Sequence, residues 1–222
     1  MVTVSALPEV IEALRLHQLT VAAPQGPVEL SMHVPPATIG AIVAPARTGR
    51  AVSRVVAGLA TPRSGRIWVG GRDVTDLPPA RRQIGYVPAG GALLPHLTVR
   101  RNIEYGLRRR ELVHDVSRDW VETVIERLEL RATLDLRPHH LSEAQRLRVA
   151  LARAAACLPE VMMLDLPAAT GAERLSDLVP LVSPPGAPGV SVLVCSAHPS
   201  VLAEIPLQVR PGGVAAQPAV GS

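Results

Sequence analysis

The apolar and polar positions between residues 14 and 34 predict two short strands on either side of the turn-rich Ala23-Pro24-Gln25-Gly26-Pro27. Thr38-Ile39-Gly40-Ala41-Ile42-Val43-Ala44 is an almost unbroken apolar run, the pattern of a buried strand. A polar turn follows, and then Val52, Val55, Val56 and Leu59 recur at helical spacing, predicting a helix over 51–59. Pro62-Arg63-Ser64-Gly65 reads as a turn into the strand Arg66-Ile67-Trp68-Val69, which stops at Gly70-Gly71. Residues 92–156 read as mostly helical. Trp120, Val121, Val124, Ile125 and Leu128 mark one helix face, with Asp115 or Ser117 as its cap. A second helix starts at Ser142, and strands return at 160–166 and 190–197. Apolar strands separated by helices predict an α/β fold with a mostly parallel sheet and helices on its faces.

Composition narrows the class. At 222 residues and 47% apolar content, the chain is long enough for one α/β domain with a continuous core. No apolar run reaches the roughly 18 residues that span a bilayer, and no basic-then-apolar leader opens the chain, so a cytoplasmic location is expected. Cys157 and Cys195 stand in apolar surroundings without metal-ligand spacing and read as buried free thiols. All 23 residues counted as lysine or arginine are arginine, so no lysine exists to grip a phosphate. The clusters Arg81-Arg82, Arg100-Arg101 and Arg108-Arg109-Arg110 read as solvated faces. With almost no aromatic residues to stack on bases, no nucleic-acid partner is expected. The tail over 211–222, rich in Gly, Pro and Ala, is expected to be flexible.

Two stretches carry the chemistry. Leu141-Ser142-Glu143-Ala144-Gln145 opens the second helix, and Ser142 with Gln145 forms a capping box. Val161-Met162-Met163-Leu164-Asp165-Leu166-Pro167 is an apolar strand that ends in a carboxylate. Together they resemble the signature helix and the second acidic motif of ABC-transporter ATPases, which read Leu-Ser-Gly-Gly-Gln and Asp-Glu-Pro. The stretches Pro62–Thr75, Arg82–Val87 and Leu94–Ile103 resemble importer-type members. The resemblance runs over residues 14–200. It implies a P-loop NTPase-like ABC ATPase core with a mostly parallel sheet, an antiparallel β subdomain and a helical subdomain near 90–150. All of this forms one nucleotide-binding domain over 1–222.

Against that family the reactive residues are altered. A phosphate loop needs glycines whose N–H groups turn toward an anion, a lysine for the outer phosphates and a hydroxyl for magnesium. Here the loop position reads Ala44-Pro45-Ala46-Arg47-Thr48-Gly49-Arg50-Ala51-Val52 and matches the family at Pro45 and Gly49. Arg50 stands at the lysine position. It can pair with phosphate but is bulkier and planar. Ala51 stands at the magnesium-ligand position and cannot coordinate a metal. Val21-Ala22-Ala23-Pro24 occupies the place of the adenine-stacking aromatic. Pro88-Ala89 replaces the Phe-Gln pair that senses metal and water. Glu143 and Ala144 replace both signature glycines, leaving Ser142 and Gln145 to face an ATP held in trans. Asp165 matches the magnesium-associated aspartate, Leu166 replaces the general base, and Ala168-Ala169-Thr170-Gly171-Ala172 lacks the next aspartate. His198 matches the switch histidine.

Charge-assisted hydrogen bonds are each worth roughly 1.5–3 kcal/mol, and a positioned base about 10²–10⁴ in rate. The family's ATP and Mg2+ are therefore expected to bind weakly or not at all. The expected role is a pseudo-ATPase, a structural or regulatory partner of a second ABC ATPase subunit and of membrane-spanning permease subunits on the inner face of the cell membrane. Two other readings stay open. One is an active ATPase using Arg50, Asp165 and His198; the other is a soluble regulatory or nucleic-acid-binding protein.

Overall fold

The computed structural model describes residues 12–107, 114–166 and 175–212. Strand β1 (Leu14–Ala23) turns back into β2 (Gly26–Val34) as an antiparallel hairpin, with Ala23 opposite Gly26. Its register shifts between Leu16 and Leu19, where Gln18 takes a φ of 47° and forms a bulge. Strands β4 (Ser64–Val69) and β5 (Arg72–Asp73) extend this sheet in the order β2-β1-β4-β5.

The second sheet is parallel. It contains β3 (Ile39–Val43), β6 (Ile84–Val87), β7 (Val161–Asp165), β8 (Ser191–Ser196) and β9 (Leu207–Val209), in the order β6-β7-β8-β3-β9. Every residue of β7 and β8 is buried, as their near-continuous apolar runs require of strands covered on both faces. Side-chain alternation divides the core in two. Ala41, Met162, Leu164, Val192 and Val194 face one cluster; Ile42, Val161, Met163, Leu193 and Cys195 face the other.

Helix α1 (Ala46–Val56) lies in the second cluster, between the antiparallel hairpin and the parallel sheet. The first cluster is covered by α2 (Val99–Glu104), α3 (His114–Arg127), α4 (Glu143–Ala155) and α5 (Leu175–Val182). Trp120, Val121, Val124, Ile125 and Leu128 are all buried there, as the helical spacing predicts.

Several expectations need correction. Helix α1 begins at Ala46, not Ala51, so the predicted polar turn is its first turn. Ala46 and Arg47 are good helix formers, and no residue from 44 to 52 has a positive φ. Helix α3 already contains Asp115 and Ser117, so neither is its cap. Arg82 is not on a solvated face. It is buried, and its guanidinium donates to the carbonyls of Val55, Val56, Thr75 and Leu77 at 2.6–3.0 Å. Burial holds its pKa below the usual value, partly offset by the charge of Asp76. Residues 92–98, inside the stretch expected to be helical, are not helical. The fully buried Asn102 ties that loop down through Leu94 N–H, which its Oδ1 accepts, and through the carbonyls of Leu94, Leu97 and Thr98. Helices α5 and α6 (Pro199–Leu202) and strand β9 were not anticipated from the pattern. Arg108-Arg109-Arg110, 168–172 and the tail past Gly212 lie outside the described residues.

Candidate functional site

The carboxyl ends of neighbouring parallel strands form the place where α/β sheets bind ligands. Here that edge gathers the start of α1 after β3, Asp165 and Leu166 at the end of β7, and His198 after β8. Each position follows from the chain running out of a buried strand into a turn.

The start of α1 is wound shut. Pro45 is its N-cap (φ −54°, ψ 147°), and no side chain caps the helix. Gly49 N–H donates to the Pro45 carbonyl at 2.8 Å, and Ala44 N–H donates to the Ser196 carbonyl at 3.1 Å. Ala46-Arg47-Thr48 is therefore a helical turn rather than a loop around an anion. Gly49 serves packing instead. A Cβ there would lie 3.1 Å from Cys195 Cβ on β8. Arg47 and Arg50 are exposed, Thr48 is buried, Ala51 is half-buried, and Val52 points fully into the core.

Asp165 is buried and fully engaged. Its Oδ1 accepts from the Ser53 hydroxyl and its Oδ2 accepts from the Tyr86 hydroxyl at 2.6 Å. Ser53 is itself fully buried, one helical turn past Gly49, whose carbonyl lies 3.0 Å from the same hydroxyl. Burial raises the Tyr86 pKa. The Asp165 bond and charge raise it further, and Arg50 and Arg54 oppose this. Cys195 lies beside the group. Burial pushes its thiol up to about 12; Ser53 opposes the shift and the Asp165 charge adds to it.

Leu166 N–H donates to the Cys195 carbonyl at 3.0 Å, and its side chain is buried in the helix-side core. His198 is exposed. Its N–H donates to Ser196 Oγ at 3.1 Å, and its Nδ1 lies 2.8 Å from Ser200 Oγ. Ser142 and Gln145 engage each other as a capping box. Ser142 Oγ accepts from Gln145 N–H at 3.2 Å, and Gln145 Oε1 accepts from Ser142 N–H at 2.9 Å. Glu143 is exposed in the first turn of α4, where a carboxylate suits the helix dipole. After Pro88-Ala89, the residues Gly90, Gly91 and Ala92 all take positive φ, and Arg153 holds them by donating to the Gly91 and Ala92 carbonyls.

The structure thus joins Asp165 to α1. Among the described residues, no hydrogen bond or ion pair links it to Arg50 or His198, and no group of three or more His, Cys, Asp or Glu side chains gathers to hold a metal. The sequence reading missed Ser53 and Tyr86. Ser53 carries a signal in retrospect, since a hydroxyl interrupts an otherwise apolar helix face.

An ABC transporter family model matches residues 29–169. The chain belongs to the ABC transporter family. It is 41% identical over 140 residues to the sulfate/thiosulfate import ATP-binding protein of Synechococcus elongatus, a match covering 63% of this chain and 41% of that protein. It is 43% identical over 127 residues to the molybdate/tungstate import ATP-binding protein of Archaeoglobus fulgidus, covering 57% and 52%. The matches therefore span about half or less of these relatives' length. Among solved structures, cbiO1 of Clostridium perfringens superposes with a TM-score of 0.70 at 20% identity, over 93% of this chain and 88% of that one. A dimeric ATP-binding cassette bound to ADP and phosphate, MJ0796, superposes with a TM-score of 0.68 at 21% identity, over 92% and 97%. These likenesses give the ABC ATPase fold, which agrees with the predicted α/β class.

Proposed function

We propose that this chain is a degenerate ATP-binding subunit of an ABC transporter, a pseudo-ATPase. In this role it serves as a structural or regulatory partner of a second, active ABC ATPase and of membrane-spanning permease subunits. The observation that carries this reading is the start of α1. Where a phosphate needs a cradle of N–H groups, Gly49 N–H is spent on Pro45 and the chain forms a closed helical turn. The residues present do not fit a magnesium–nucleotide complex. Ala51 offers no ligand, both Asp165 oxygens are taken by the chain's own hydroxyls, and the side chain at the base position, Leu166, lies in the core.

Relatives named as import ATP-binding proteins support the transport setting and favour uptake. Among the described residues no helix is long and apolar enough to cross a membrane. This is consistent with a subunit that docks on permease partners at the inner face of the membrane. Without a nucleotide cycle of its own, the subunit contributes a surface rather than a power stroke.

Phosphate release from magnesium–ATP, measured for the purified chain alone and with its partner ATPase, tests this. The expected result is no turnover by the chain alone, and turnover in the pair that survives Arg50→Ala here. Magnesium-dependent turnover by the chain alone, abolished by Arg50→Ala, overturns the reading and favours an active ATPase.

A further inference from the structure

Asp165 is a carboxylate buried at the end of β7. A charge removed from water is retained only if its oxygens are satisfied. Here both are, by donors from different parts of the fold. Ser53 comes from α1, and Tyr86 comes from β6, the strand paired with β7. The carboxylate itself ends β7, and Cys195 of β8 closes the group from the side that packs on Gly49. One acidic side chain therefore connects a helix and two strands at the edge where ligand would otherwise sit. Ser53 is central to this, because it stands inside the helix and brings its hydroxyl to the carboxylate from the protein interior. Arg50 and Arg54, one turn apart on the exposed face of α1, place positive charge near the group.

We propose that Ser53, Tyr86 and Asp165 form a ligand-independent latch, which holds the first turns of α1 against the parallel sheet and fixes the subunit in one conformation whatever the nucleotide supply. This deepens the pseudo-ATPase reading and rests on it. A partner docking at this edge meets a constant surface, and Asp165 is a structural residue rather than a vestige of metal binding.

Thermal unfolding of the full chain tests the latch. Tyr86→Phe removes one hydroxyl and leaves a carboxylate oxygen bare; Ser53→Ala does the same on the other side. Each is expected to lower Tm by about 3–8 °C. In an Asp165→Ala background, Tyr86→Phe should cost almost nothing, because its acceptor is gone. Hydrogen exchange of the amides from Gly49 to Ser53 should be unchanged by 1 mM magnesium–ATP in the wild type and faster in Tyr86→Phe. An unaltered Tm for Tyr86→Phe, or the same cost with and without Asp165, overturns the latch even if phosphate release stays absent. Exchange slowed by magnesium–ATP in the wild type overturns it as well. Should Asp165→Ala fail to fold, the Tyr86→Phe and Ser53→Ala melts and the exchange data still decide.

Discussion

Leu166 shows how a single position can be both inert and committed. Its side chain packs in the helix-side core, so it is part of what holds α4 and α5 to the sheet. Restoring the family's glutamate here does not restore a base. Leu166→Glu buries an unpaired charge and is expected to cost on the order of 3–5 kcal/mol, read as a lower denaturation midpoint, with no gain in phosphate release. Cys195 makes a pH prediction. Its thiol is pushed up to about 12 in the folded chain, against about 8.5 unfolded. Above pH 8.5 the unfolded chain loses this proton while the folded chain keeps it. Stability therefore falls as pH rises toward 12, by up to about 1.4 kcal/mol per unit from this group, and is unaffected by it below pH 8. Denaturant melts between pH 8.5 and 10 check the slope, and Cys195→Ala should flatten it there; above pH 10 the raised Tyr86 adds a fall of the same sign. The buried thiol should also resist alkylation at pH 7 until the protein unfolds.

At the level of elements, what the sequence disclosed was local. The capping box at Ser142 and Gln145 is written within one helical turn, and the structure forms it. Ser142→Ala is expected to remove about 1 kcal/mol and to lower Tm by about 2–4 °C in a circular-dichroism melt. The buried face of α3 was equally legible, because its period is its own. The start of α1 was not. A resemblance to a phosphate loop suggests a turn at 45–50, but Ala44 and Arg47 stand where the family has glycines, and Ala46 and Arg47 begin a helix as local propensity favours. The far end of α1 hid a second feature. Gly58 (φ 79°) lets Gly58 N–H and Leu59 N–H return to the carbonyls of Val55 and Arg54, closing the helix, and Arg82 then takes the Val55 and Val56 carbonyls from a distant loop. Nothing in the pair Arg81-Arg82 distinguishes the buried member from its exposed neighbour. Arg82→Met, which keeps the apolar stem but removes one donor from each of four carbonyls, of which Val55 keeps Gly58 N–H, is expected to cost about 2–4 kcal/mol, measured by urea unfolding.

For the whole molecule, the two sheets, the helix between them and the helical cover form the frame that the family shares, and the match over residues 29–169 fixes that identity. The frame was readable because order and spacing survive substitution. The state of the site was only partly readable. The missing lysine and hydroxyl were visible in the chain, but the joining of Asp165 to Ser53 and Tyr86, residues far apart in sequence, needed three dimensions. The central claim is that this frame does not clasp a nucleotide, and a thermal-shift titration of the purified chain with magnesium–ATP up to 1 mM tests it most directly. A site with a Kd near 10 μM would add about 2.7 kcal/mol at that concentration and raise Tm by roughly 5–10 °C. We predict no magnesium-dependent shift; a saturable rise that disappears on adding a chelator contradicts the account.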